Sequence, residues 1–197
     1  MQEGMKPEAA MKELIEGNKR FVAGKPKFPN TNSKRRTEVA KGQHPFAIIL
    51  GCSDSRIPPE ILFDRGLGDV FIIRTAGNVV DDIAIGSIEY AAEHLGVQLL
   101  VVLGHSKCGA VDATMKGGEV PGHIGSIVEK LKPVVDATKS KPGDAWLNCV
   151  KANVDSLVHE LEESTPILSE LVEEAKLKVV GATYDVETGV VSWHGEF

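Results

Sequence analysis

Three short runs of uninterrupted apolar residues organise the chain: Phe46-Ala47-Ile48-Ile49-Leu50, Val70-Phe71-Ile72-Ile73 and Leu99-Leu100-Val101-Val102-Leu103. A strand with no polar alternation has both faces buried, as in a parallel sheet covered by helices. Between the second and third runs, residues 81–95 put Ile85, Ile88, Ala92 and Leu95 on one helical face. Strand, helix, strand is a βαβ unit. Beyond residue 108 the pattern turns helical, with helices predicted near 110–115, over 125–138 and over 145–175, the last interrupted at Pro166. Residues 177–182 form a fourth apolar run, and the turn at 185–189 leads into Val190-Val191-Ser192-Trp193, which can pair with it as a hairpin.

The chain begins with an amphipathic helix: Pro7 suits a first turn, and Met11, Leu14, Ile15, Phe21 and Val22 recur at helical spacing. Gly24-Lys25-Pro26 and Phe28-Pro29-Asn30 then break regular structure. Residues 1–30 thus read as a helical arm that packs across the domain or onto a partner subunit. With no internal repeat or linker, residues 1–197 form one α/β domain: a mostly parallel central sheet flanked by helices, with the N-terminal arm and a C-terminal strand or hairpin.

Composition narrows the functions. A length of 197 residues, 42% of them hydrophobic, suits one globular domain. The net charge of −6 and pI near 5.5 argue against a nucleic-acid partner, which needs clustered cations to displace counterions. Lys34-Arg35-Arg36 reads as a solvated turn or helix start. The opening MQEGMKPEAAMKELIEG has no signal-peptide core, and no apolar stretch is long enough to span a bilayer, so a cytoplasmic protein without a membrane partner is expected. Three widely spaced cysteines do not form a disulfide framework, which leaves catalysis or metal binding as their uses.

Cys52 and His105 each follow a predicted buried strand and each is preceded by glycine, so both stand where a strand leaves the sheet, the place where open α/β sheets bind ligands. Cys108 follows His105 by three positions. A Cys2His set fits tetrahedral zinc with a fourth position left for water, the arrangement of catalytic sites. Spacing alone equally allows two buried thiols and a hydrogen-bonded core histidine. Asp54 and Arg56, two apart in Cys52-Ser53-Asp54-Ser55-Arg56, can form a bidentate carboxylate–guanidinium pair beside the metal, or simply a surface salt bridge. Cys149, in an apolar helical stretch, suits an inert thiol, and His44, His123, His159 and His194 suggest no chemistry.

CSDSRIPPEILFDRGLGDVFIIRTAGNVV and GSIEYAAEHLGVQLLVVLGHSKCGA strongly resemble the β-class carbonic anhydrases, in register from LIEGNKRF through Ala110 with a weaker echo in GATYDVETG. The resemblance implies that Cys52, His105 and Cys108 hold zinc and that zinc-bound hydroxide, oriented by Asp54 with Arg56, attacks carbon dioxide to give bicarbonate. In a closed state the aspartate would take the fourth metal position. Gln43, Phe71, Ala76 and Tyr90 fall at substrate-pocket positions, the Gly109 N–H would donate to a substrate oxygen, and His94 matches a position considered for proton shuttling, a task imidazole suits. Ile49 stands where bicarbonate-inhibited members carry tryptophan, so with Gln43 it points to the plant-type, non-gated subtype. The resemblance also implies a homodimer or higher even oligomer with the site at a subunit boundary. Carbonyl sulfide or carbon disulfide hydrolysis on the same scaffold, and a non-catalytic zinc-binding module, are the competing functions. A thiol redox role is weakened by the lack of a C-x-x-C.

Overall fold

In the computed structural model, which describes residues 4–195, a five-stranded sheet runs in the order β2-β1-β3-β4-β5. Strands β1 (Ala47–Cys52), β2 (Val70–Thr75), β3 (Leu99–His105) and β4 (Lys178–Tyr184) are parallel, and β5 (Val191–Trp193) returns antiparallel to β4 with Thr183 opposite Ser192. The apolar runs are buried as their lack of alternation requires: every residue of β1 and β3 is buried. The C-terminal pairing is the predicted hairpin.

Side chains alternate across the sheet, and helices cover both faces. Ile49, Val101 and Leu103 face the layer of α1 (Pro7–Val22), α5 (Gly109–Lys116) and α6 (Ile124–Thr138). Ile48, Leu50, Leu100 and Val102 face α4 (Asp82–Glu89), much of α7 (Ala145–Glu162) and α8 (Ile167–Glu173). Each such fully buried aliphatic side chain contributes about 1.5–3 kcal/mol. The basic cluster is a helix start, in α2 (Ser33–Val39) under an Asn32 cap, and the short α3 (Pro59–Leu62) lies outside the predicted pattern. The helix expected over 81–95 is regular only to Glu89, after which Tyr90–His94 widens into a π turn.

The strands that carry the ligands run further than their apolar runs suggest, so Cys52 and His105 are the last residues of β1 and β3 rather than the first beyond them. Glycine permits this at β3. A Cβ on Gly104 would lie 2.6 Å from Val154 Cγ2, so its absence lets α7 approach the sheet while the strand continues to the histidine.

Helix α1 buries Ala10, Met11 and Leu14 within its own chain. Asn18 fixes its position, donating to the carbonyls of Leu62 (3.2 Å) and Gly189 (2.9 Å) while its oxygen accepts from Val191 N–H (3.0 Å). The irregular segment that follows is tied by buried Asp64, which accepts from Arg20 Nε at 2.5 Å and from the N–H groups of Lys27 and Phe28. In the single chain the arm therefore packs across its own domain.

Candidate metal centre

Three side chains meet at the carboxyl ends of β1 and β3. Cys52 ends β1, His105 ends β3, and Cys108 caps the start of α5; all three are buried, and one ligand atom from each lies within 4.8 Å of the others. Their convergence follows from the sheet order, because β1 and β3 are adjacent and parallel and so end side by side. Lys107, in the left-handed region at φ 57°, turns the chain so that Cys108 comes back toward His105.

The ring of His105 is oriented by its surroundings. Its Nδ1 lies 2.9 Å from the Ser106 carbonyl, an acceptor with no proton to give, so Nδ1 carries the hydrogen and Nε2 keeps its lone pair. Nε2 is buried and has no hydrogen-bond partner among the described residues. An orphaned acceptor beside two thiols is a donor set suited to a metal ion, and a backbone carbonyl behind the other ring nitrogen is the usual support of a metal-bound imidazole. Two sulfurs and one nitrogen make a donor set that fits zinc.

Electrostatics at the two sulfurs already favour an anion. Against the cost of burial, the neighbouring Cys108 thiol together with the Asp54 and Gly77 N–H groups lowers the Cys52 thiol below its ordinary value. Cys108 is pushed up, first by its neighbour Cys52 and then by burial. The Gly77 N–H lies 3.2 Å from Cys52 Sγ. Gly77 sits in a tight turn at φ 68°, where a Cβ would stand 3.0 Å from both Ala110 Cβ and Leu131 Cδ1. Buried Asn153 of α7 donates to the Gly77 carbonyl at 3.2 Å and holds that turn.

Asp54 and Arg56 pair as expected. Arg56 donates from Nε to Oδ1 at 2.9 Å and from Nη2 to Oδ2 at 2.7 Å, with its backbone N–H also on Oδ1. The Arg56 hydrogen bonds overcome partial burial and lower the Asp54 carboxyl to about 2. Arg56 also donates to the Lys107 carbonyl at 2.9 Å, so one guanidinium joins the loop after β1 to the loop after β3. Lys107 in turn pairs with Glu187 at the rim. Asp54 is not one of the side chains that converge on the metal position.

The remaining predicted site residues divide into two groups. Ala76, half-buried in the turn that carries Gly77, and Gly109, at the exposed start of α5 where an added Cβ meets nothing described within 4 Å, border the metal position. Phe71, Tyr90, His94 and Gln43 do not. Phe71 lies opposite Ile48, four residues before Thr75, the partner of Cys52, or roughly 13 Å down the strand. It stacks near Tyr90 at 6.3 Å, Tyr90 stands 5.4 Å from the His94 ring, and Gln43 is exposed in the loop before β1, all toward the amino ends of the strands. Tyr90 is 47% exposed. Sequence reasoning passed over Gly77, Arg74 and Asn153, which support the ligands. A lone arginine after an apolar run, followed by Thr-Ala-Gly-Asn, was the available signal for the first two; the carbonyl that Asn153 meets is visible in three dimensions alone. Cys149 is buried with a Thr138 hydroxyl 3.2 Å from its sulfur, as suits an inert thiol.

Comparison with known proteins agrees with this geometry. A family model described as carbonic anhydrase matches residues 47–191. Carbonic anhydrase 2 of Mycobacterium tuberculosis is 42% identical over 93% of this chain and 90% of its own length. The carbonic anhydrase of Mycolicibacterium smegmatis is 43% identical over 94% and 92%. Among solved structures, a tetrameric β-carbonic anhydrase of Sordaria macrospora superposes with a TM-score of 0.76 at 27% identity, covering 95% of this chain and 98% of that one. The Coccomyxa β-carbonic anhydrase, determined with acetazolamide, gives 0.74 at 28% over 93% and 86%.

Proposed function

Because this chain belongs to the β-class carbonic anhydrases, we propose that Cys52, His105 and Cys108 hold one zinc ion and that Asp54 with Arg56 directs its reaction, the reversible hydration of carbon dioxide to bicarbonate and a proton. The observation that carries the ligand set is the orphaned Nε2 of His105 beside two buried thiols. Zinc, when bound, acidifies a water so that a nucleophile is present near neutral pH. The Ser106 carbonyl fixes the imidazole tautomer, and the Gly77 N–H steadies the Cys52 sulfur. Asp54, kept ionised by Arg56, accepts a hydrogen bond from the attacking water and so aims its lone pair. The Gly109 N–H, at the positive end of α5, stabilises the negative oxygen that carbon dioxide develops. Arg56 acts chiefly as the holder of Asp54, and its second bond to the Lys107 carbonyl supports a state in which the carboxylate stays off the metal.

The pocket is completed by a second copy. Gln43, Phe71 and Tyr90 lie away from the metal centre of their own chain, while Ile83 and Tyr90 are exposed apolar residues at the two ends of α4. An even oligomer with the N-terminal arm against the partner accounts for both, and His94 beside Tyr90 would then be placed to carry protons. The buried Ile49 in place of tryptophan supports the non-gated, plant-type site. The cytoplasm is the proposed location, since a reducing compartment keeps the thiols free.

Zinc analysis with stopped-flow carbon dioxide hydration on the purified protein tests the reading. We expect one zinc per chain, lost in Cys52→Ala, His105→Ala and Cys108→Ala together with activity. A Cys52→Ala protein with stoichiometric zinc and full hydration would overturn it. Preferential turnover of carbonyl sulfide in the same assay would reassign the substrate. Sigmoidal loss of activity with added bicarbonate would refute the subtype, and a monomer by sedimentation would refute the shared pocket.

A further inference from the structure

Arg74 follows the apolar run 70–73 of β2, stands opposite Gly51 of β1, and is half-buried. Its side chain reaches the loop that leaves β1: Nε donates to the Cys52 carbonyl at 2.8 Å and Nη2 donates to the Asp54 carbonyl at 2.5 Å. These carbonyls flank Ser53, whose own N–H is held by the Thr75 carbonyl at 3.0 Å. β2 therefore grips three consecutive residues, and the two charged bonds fall on the residue that offers a thiolate and the residue that offers the carboxylate.

We propose that Arg74 is a positioning residue of the metal centre, whose guanidinium sets the separation and mutual orientation of the Cys52 thiolate and the Asp54 carboxylate. The inference rests on the zinc reading above. The physical reason is the shape of the group. A guanidinium is planar, so its Nε and Nη2 hydrogens point side by side from one edge and meet two acceptors at a fixed spacing. Carbonyls two residues apart in a turning loop provide such a pair, whereas the ammonium of lysine, a compact charge whose three donors rotate, imposes no fixed spacing on them. Rotating the Asp54 peptide swings its carboxylate relative to the metal even while Arg56 remains bonded to it. Arg56 joins the carboxylate to the loop after β3, and Arg74 joins the backbone beneath that carboxylate to β2, so the reacting geometry is fixed from both neighbouring strands.

Arg74→Lys keeps charge and most of the stem, and Arg74→Gln keeps donors without charge. In both we expect stoichiometric zinc and an intact fold, with kcat for carbon dioxide hydration 10–100-fold lower, the range typical of residues that orient metal ligands, and KM changed by less. Two further readouts separate positioning from plain structural support. Cobalt-substituted Arg74→Lys should show a shifted thiolate charge-transfer band. In an Asp54→Asn background the same substitution should cost less than threefold, because the group it places has already been disabled. A wild-type kcat and an unshifted cobalt spectrum in Arg74→Lys would overturn the proposal, as would full additivity with Asp54→Asn or failure of both variants to fold. If the wild-type protein itself binds no zinc and hydrates no carbon dioxide, the zinc reading falls instead.

Discussion

Asp54→Asn separates what the charged pair does for stability from what it does for the reaction. The substitution preserves size and leaves one oxygen to accept from Arg56, but it sets an amide N–H₂ against the Nη2 that now donates at 2.7 Å. The stability cost is small. The Arg56 side chain is 50% exposed, so solvent screens the pair and its net worth is at most about 1 kcal/mol. For a chain of this size that lowers the melting temperature by about 2–4 °C. The functional cost is larger, because Asp54 is held to about 2 and is fully ionised throughout any practical assay range, so the loss of its charge is felt at every pH. Loss of one orienting group beside a metal slows turnover roughly 10–100-fold, equivalent to about 1.4–2.7 kcal/mol of transition-state stabilisation. Stopped-flow hydration with an indicator dye, zinc analysis and thermal unfolding on the same preparation supply the three quantities. A variant with stoichiometric zinc that hydrates carbon dioxide within twofold of the wild-type rate refutes the role given to Asp54. One that loses its zinc shows that the carboxylate serves the metal site rather than the water.

Other predictions concern the supports. Asp64→Ala leaves Arg20 and the Lys27 and Phe28 N–H groups without their buried acceptor and should cost about 3–5 kcal/mol in urea unfolding; a loss below 1 kcal/mol would mean that the arm is held by its apolar face alone. Burial opposes ionisation of Asp64, but the two N–H groups and Arg20 outweigh it and lower its carboxyl in the folded state. Its contribution is therefore fully present above the unfolded carboxylate value near 3.9 and disappears as pH falls through the lower folded one. Comparing parent and variant down that acid limb should show the gap between them closing; a constant gap would contradict the assignment. Gly77→Ala forces a side chain into a left-handed turn and into Leu131, so a loss of about 1–3 kcal/mol and a changed cobalt–thiolate spectrum are expected. Stripping zinc with a chelator should lower the melting temperature and return it on titration with zinc, since a ligand at a hundred times its Kd adds about 2.7 kcal/mol; an unaffected midpoint would argue against a preformed site.

Much of this protein was legible along the chain because its signals are local. The apolar runs from Ile48, Val70 and Leu99 required a covered parallel sheet, and a cysteine or histidine at the end of such a run had to stand at the sheet's ligand-binding edge. The two-residue interval between Asp54 and Arg56 sufficed for their pairing, since it lies within the reach of adjacent side chains. Tertiary structure alone decided what depends on distant segments. Strand order brought Cys52 and His105 side by side, the close approach of α7 over Gly104 let β3 run on to its histidine, and Arg74 met the Cys52 and Asp54 carbonyls because β2 lies against β1. It also separated Phe71, Tyr90 and Gln43 from the metal centre of their own chain, because residues at opposite ends of a strand stay a strand length apart however close they stand in sequence.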